Sequence, residues 1–279
     1  MNAYATDYTY DPFGNIRSHQ GVSYAYDRLN RVTRITYPSG NQIGYAYDAT
    51  GRVTQVEGLI QGAPLALASQ IRTAPQGPLT ALTYGNGLSL SQRLDEAYLI
   101  TGYTLPSVRV WEASYDKDGN LEKRVDKLGA PESAYRYDAL DRLDVATGPF
   151  GQRDYDYDPN GNRQRLLSEA GTQLSTYAPA SNRLTSTGGT TVETDATGDT
   201  VTQGPWQFAY NSHNRLRTVH EGALLRAQYA YNGIGQRREK LAAGITTRYV
   251  YGEDGKLLAE LDATGTVLKG STSISKAHR

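Results

Sequence analysis

Apolar and polar residues along this chain alternate in runs of a few residues, the period-two signature of half-buried strands, and helical spacing is weak throughout. The alternation restarts about every twenty residues, in most copies with two aromatic side chains two positions apart, as in Tyr24-Ala25-Tyr26, Tyr45-Ala46-Tyr47 and Tyr135-Arg136-Tyr137. Aligned on the second aromatic, the register is Tyr10, Tyr26, Tyr47, Tyr115, Tyr137, Tyr157, Tyr210, Tyr231 and Tyr251. One residue on stand Asp11, Asp27, Asp48, Asp116, Asp138 and Asp158, then Asn211 and Asn232, with Gly252 as the exception. Four residues on stand Gly14, Asn30, Gly51, Gly119, Asp141, Gly161, Asn214, Gly235 and Gly255, all types that take a left-handed backbone cheaply.

Each copy reads as a hairpin. Tyrosines two apart share one strand face, the Asp or Asn side chain bonds backbone donors ahead of it, and the left-handed residue ends a type I turn. An aliphatic residue six positions after the tyrosine (Ile16, Val32, Val53, Leu121, Leu143, Leu216, Leu257) starts the return strand. Arg163 and Arg237 depart from this, which leads us to expect two units turning a different face to the core. Second turns are expected at 37–41, Gly58, 147–151, 220–222 and 262–265. Short turns between consecutive strands force antiparallel pairing, so the expected fold is all-β, an antiparallel meander of hairpins forming a curved, spiralling sheet. The stretch 88–100 reads equally as helix or as strand, turn and strand. Clear units occupy 8–56 and 113–260, irregular ones 57–112. The segment 83–90 has a shortened spacing, 176–184 lacks the aspartate, and Thr194 stands in a tyrosine position.

Composition narrows the function. Tyr occurs 22 times against 3 Phe, 2 Trp and 1 Met, so the buried surface must be built from rings that carry a hydroxyl to satisfy. Lys plus Arg equals Asp plus Glu at 29 each, which argues against a surface made for nucleic acid or an anionic membrane. The absence of Cys removes disulfides, thiol nucleophiles and thiolate metal sites. No signal peptide and no apolar run long enough to span a bilayer is visible.

The registered Tyr-x-Tyr-Asp-x-x-Gly-Arg copies over about residues 8–268 resemble the Rhs/YD-repeat family, which includes bacterial Rhs toxin shells, shell components of insecticidal toxin complexes, and teneurins. The resemblance implies a hollow β-shell, secreted or at the cell surface, which in bacteria often encloses a C-terminal toxin. About two dozen strands at ~4.8 Å each make a sheet on the order of 110 Å wide, roughly one coil of such a wall. The expected organisation is a shell segment over 1–269 and a disordered tail over 270–279. Expected partners are further repeats or a C-terminal toxin of a parent protein, and strand edges that invite edge-to-edge self-association.

Exposed tyrosines can stack on glycans or hold cations, yet tyrosines repeated at strand spacing serve cross-strand packing, with phenols bonded to neighbouring turns. The stretch 116–127 superficially resembles a calcium loop, but Leu121 replaces its glycine and Lys127 its bidentate glutamate. The Asp-Pro-x-Gly pieces at 11–14 and 158–161 occupy ordinary turn positions. His19, His213, His220 and His278 lie in or beside turns or in the tail, without metal-ligand spacing. Arginines after the turns (Arg31, Arg52, Arg142, Arg163, Arg215) are expected to pair with aspartates of adjacent turns. No catalytic, cofactor-binding or metal residue is assigned. The reading is a non-catalytic shell segment, a scaffold or encapsulating wall; its rival is a carbohydrate-binding or adhesion module.

Overall fold

The computed structural model of the protein describes residues 8–75 and 77–270. Among them are 27 strands and no helix, and every pairing is antiparallel, joining strands adjacent in sequence. Contacts divide the chain into two units, one formed by 1–91 with 230–279, the other by 92–229. The final nine residues of the expected tail lie outside the described residues, whereas Gly270 closes the strand Val267–Gly270.

In the first unit the opening strands are Tyr8–Tyr10, Ile16–His19, Val22–Tyr26, Val32–Thr36, Gln42–Tyr47 and Val53–Ile60. Its core is Val22, Tyr24, Tyr37, Ile43, Val56, Ala68, Ile71, Leu82 and Leu90, joined by Val250, Leu258 and Ala259 from the far end of the chain. The second unit buries much less: Ala146, Val192 and Ala227 are its fully buried apolar residues, with Ser133 beside them. Half-buried tyrosines and aliphatics carry the rest of its packing.

The tyrosine-headed turns share one register. Tyr26 lies opposite Val32, six residues on, while Ala25 lies opposite Arg34, so Thr33 is an extra, unpaired residue in the return strand. The same bulge follows Tyr10, Tyr47, Tyr115, Tyr137, Tyr157, Tyr210 and Tyr251. Because of it, residues six and nine after the tyrosine face the same side, three positions apart. The ninth residue lies opposite the first aromatic of the pair: Ile35 opposite Tyr24, Val56 opposite Tyr45, Ala146 opposite Tyr135, Leu166 opposite Tyr155 and Val219 opposite Phe208. Arg163 lies opposite Tyr157 in the common register, so it does not turn a different face to the core, and Arg237 opens the strand Arg237–Ala242. Their backbone carbonyls do the work there, and these are indifferent to the side chain.

Several expected turns move. Gly58 sits inside the strand Val53–Ile60, opposite Ile43, and the turn comes at Gln61-Gly62, where both residues have positive φ (53° and 80°). That pair suits a two-residue hairpin, whose twist matches the flanking strands. The segment 83–90 is not shortened: Tyr84 occupies the aspartate slot, donating its N–H to the Leu88 carbonyl, and Thr83 faces Ser89 six residues on. Residues 262–265 are likewise a turn of the first kind, headed by Leu261 and capped by Asp262. The stretch 88–100 resolves as the strand Ser89–Leu94, a turn capped by Asp95, and the start of Ile100–Leu105.

Candidate functional site

The repeated residues assemble into a ladder of turns. At Asp27 the backbone N–H donates to the Arg31 carbonyl (2.9 Å), the Asn30 N–H donates to the Asp27 carbonyl (3.1 Å), and Asn30 takes φ +60°. The carboxylate Oδ1 accepts the N–H groups of Leu29 (2.9 Å) and Arg31 (3.0 Å). This double cap recurs at Asp11, Asp48, Asp116, Asp138, Asp158, Asp195, Asn211 and Asp262. Asn232 caps Gln236 in the same way. The left-handed position has positive φ at Gly14, Gly51, Gly119, Asp141, Gly161, Asn214, Gly235 and Gly255. Gly252 in the aspartate slot keeps both backbone bonds without a carboxylate.

Hydrogen bonding holds these carboxyls below the ordinary carboxylate range. The Thr50 hydroxyl is the main cause at Asp48, the Asn120 N–H at Asp116 and the Asn162 amide at Asp158. At Asp27 and Asp138 desolvation is the largest influence and pushes upward, but the combined bonds from Arg31 and from Arg142 outweigh it.

In eight hairpins the tyrosine at the head of the turn clasps the hairpin before it. Its hydroxyl donates to the backbone carbonyl that opens the preceding return strand: Tyr26 to Ile16 (2.8 Å), Tyr47 to Val32 (2.6 Å), Tyr115 to Ile100 (2.9 Å) and Tyr137 to Leu121 (3.0 Å). Tyr157 meets Leu143 (2.9 Å), Tyr177 meets Arg163 (3.0 Å), Tyr210 meets Thr200 (2.9 Å) and Tyr251 meets Arg237 (2.9 Å). Burial raises the phenol of Tyr47 to about 12.

The residue just before the return strand reaches forward to the next turn. Arg31 and Arg142 each pair with the aspartate of their own turn (2.6 Å) rather than with that of an adjacent one. The adjacent turn is met through its backbone instead: Arg142 Nη1 donates to the Asp158 carbonyl (3.0 Å), Arg183 Nη1 to that of Asp195 (2.9 Å), and Arg52 to that of Pro75. The guanidinium carbons of Arg31 and Arg142 lie 4.4 and 4.8 Å from the ring centroids of Tyr47 and Tyr157. Where asparagine stands there, it donates to a side-chain oxygen of the following turn, two residues before that turn's return strand: Asn15 to Asn30, Asn120 to Asp141 and Asn162 to Asn182, all at 3.0 Å. Arg31, Arg142 and Arg183 instead face glycine in that place, namely Gly51, Gly161 and Gly198. In these six pairings asparagine goes with Asn or Asp and arginine with Gly, a match between turns that no single turn displays.

In the first unit the tyrosine face of the opening hairpins meets the Gly252–Lys256 turn. A cavity of about 850 Å³ lies between them, walled by Tyr24, Tyr26, Tyr37 and Tyr45 with Leu258 below and Glu253 at the side. The Tyr26 hydroxyl is 3.2 Å from Glu253 Oε2. Beside it His19, only 5% exposed, lies in a stack with Tyr8 (5.1 Å) and Tyr24 (5.8 Å); its Nε2 is 3.2 Å from the Tyr24 hydroxyl and its Nδ1 has no partner among the described residues. The sequence places His19 beside a turn, which is correct, but gives no sign of its burial. His19 is the ninth residue after Tyr10, the inward position that the bulge creates. Among the described residues no cluster of three or more His, Asp and Glu is arranged to hold a metal, and no helix is long and apolar enough to cross a membrane.

The sequence matches a family model described as Teneurin YD-shell over residues 89–259, and one described as RHS Repeat over 26–57. No curated protein matches it by sequence. Similar solved structures include a Photorhabdus luminescens Tc holotoxin pore carrying a TccC3 point mutant, with 18% identity, TM-score 0.72, and coverage of 89% of this chain and 17% of that one. The TcdB2-TccC3 structure aligns at 18% identity and TM-score 0.69 over 88% of this chain and 18% of that one. TcdB2-TccC3-Cdc42 aligns at 20% identity and TM-score 0.72, over 88% of this chain and 15% of the other. At these identities the likeness is one of fold, and this chain spans under a fifth of their length.

Proposed function

Because the chain belongs to the teneurin YD-shell family, we propose that it is a stretch of shell wall, a non-catalytic scaffold or casing within a larger Rhs-type toxin-delivery or cell-surface protein. Its turn residues serve the architecture of that wall, which among the described residues runs from Tyr8 to Gly270. The observation that carries this reading is the clasp of tyrosine hydroxyl to preceding carbonyl, made by eight hairpins in the same form. Such a chain spends its polar groups on joining each hairpin to its neighbour, and so extends surface by repetition instead of converging on one reaction centre. Further repeats or a C-terminal toxin of the parent protein are its expected partners, and secretion or surface display its expected setting.

A repeat wall tolerates loss of whole units. Deleting 138–177 removes two hairpin periods, joins Tyr137 to Ala178, and brings Asn120 to face Asn182, the kind of acceptor it already uses. The shortened protein is expected to keep a strand-rich circular dichroism spectrum and a cooperative melt. Collapse to an unfolded chain would refute modular wall construction. Self-cleavage of the intact protein during long incubation at acidic or neutral pH would refute the absence of catalysis.

A further inference from the structure

Four tyrosines and two carboxylates, Glu253 and Asp254, border the cavity of the first unit, and every charge along its lining except that of Glu253 is already matched. Arg31 pairs with Asp27 at 2.6 Å and lies over the Tyr47 ring; Lys256 pairs with Asp254 at 3.2 Å. Glu253 is exposed, and among the described residues no Lys or Arg forms an ion pair with it; its Oε2 touches only the Tyr26 hydroxyl, at 3.2 Å. The lining therefore offers one uncompensated negative charge next to aromatic surface. The volume, about 850 Å³, falls within the range of small-ligand sites.

We propose that this cavity binds an organic cation, an ammonium or guanidinium group carried on an apolar stem. Glu253 neutralises the charge, the tyrosine rings attract it through their electron-rich faces, and Leu258 with Ile35 receives the stem. The polar edges disfavour a neutral sugar. The Tyr26 hydroxyl donates to the Ile16 carbonyl, the Tyr24 hydroxyl contacts His19, and the Asn15 amide is bonded to Asn30, so a polyol finds few groups free to bond its hydroxyls.

The test is calorimetric titration of the full chain with two cationic probes, agmatine and a blocked tripeptide with a central arginine, and with maltose as the neutral probe. At least one cation is expected to bind, more weakly as salt is raised. Agmatine alone indicates a free amine as the natural ligand, and the peptide alone indicates a basic side chain. Glu253→Gln preserves the contact with Tyr26 and removes the charge, so its melting profile should match that of the parent while cation affinity falls about tenfold. Absence of binding by both cations, maltose binding in their place, or unchanged cation affinity in Glu253→Gln would each overturn the proposal.

Discussion

Tyr155 and Tyr157 stand two residues apart on one face of the strand Gly151–Tyr157, yet the ladder asks different things of them. The Tyr157 hydroxyl donates to the Leu143 carbonyl at 2.9 Å and its ring carries Arg142 at 4.8 Å. Tyr155 faces Leu166 across the ladder, and its hydroxyl has no hydrogen-bond partner among the described residues. Tyr157→Phe deletes one hydrogen bond and keeps the ring, so the loss is that of a single neutral bond, about 1 kcal/mol. Tyr155→Phe removes a hydroxyl with nothing to lose and is expected within about 0.5 kcal/mol of zero. In urea titrations followed by circular dichroism, an m value of about 2 kcal/mol/M converts the first figure into a midpoint lowered by roughly 0.5 M, with the second near zero. Native-state hydrogen exchange should place the loss in the hairpin spanning 143–157, because repeats couple chiefly to their neighbours. Equal midpoints for the two variants, or a larger cost at Tyr155, would show that the clasp does not hold the hairpins together.

The forward link between turns should appear as a coupling energy. Asp141→Gly alone removes the bond from Asn120 to the following turn and leaves its amide only the bond to Asp116, whereas Asn120→Arg combined with Asp141→Gly recreates the Arg and Gly pairing of Arg142 with Gly161, so a double-mutant cycle on urea midpoints should give an interaction of about 0.5 kcal/mol or more; additive effects would refute it. At alkaline pH, the Tyr47 phenol is raised by burial from 10.0 to about 12, so the unfolded chain loses that proton first; stability is full below pH 10.0 and declines as pH rises towards about 12, and Tyr47→Phe should flatten that part of the curve. At acid pH the sign reverses for His19, which burial holds below its ordinary 6.5. Stability from its neutral form is complete above 6.5 and is lost as pH falls through the folded value, and His19→Phe, which keeps the stack, should reduce that loss in a pH series of thermal melts.

The parts of the fold legible in the sequence are those where backbone geometry dictates the residue type. Asp27 caps, Asn30 bends left-handed and Val32 opens a strand, each for a local reason that one hairpin displays by itself. The bulge at Thr33 has no residue signature of its own, so the inward role of the ninth position stays hidden until strands are paired. Aliphatic residues three apart, Val32 with Ile35 and Val53 with Val56, were its one trace, and a spacing of three resembles a helix more than a strand. Turn closure needs only backbone, and so Tyr84 and Leu261 in unexpected slots were misread: 83–90 as a shortened unit and 262–265 as a turn of the second kind. Gly58 marks close packing, since an added Cβ would sit 3.3 Å from Ile60 and Leu67. The cavity was invisible for another reason: it joins Tyr26 to Glu253, 227 positions away, and no local pattern records that meeting.

The reach of Arg142 and Asn120 towards the following turn gives the ladder a direction, with consequences for how such genes can be shuffled. Unequal crossing-over between copies preserves the reading of every hairpin, but it can set an asparagine before a glycine and so remove the bond that joins its turn to the next. Recombinants that respect the matched pairs lose nothing, while the others carry a fault at each junction. The order of the copies is therefore itself inherited information, and duplication of matched pairs is the route by which a chain of this kind can lengthen without weakening.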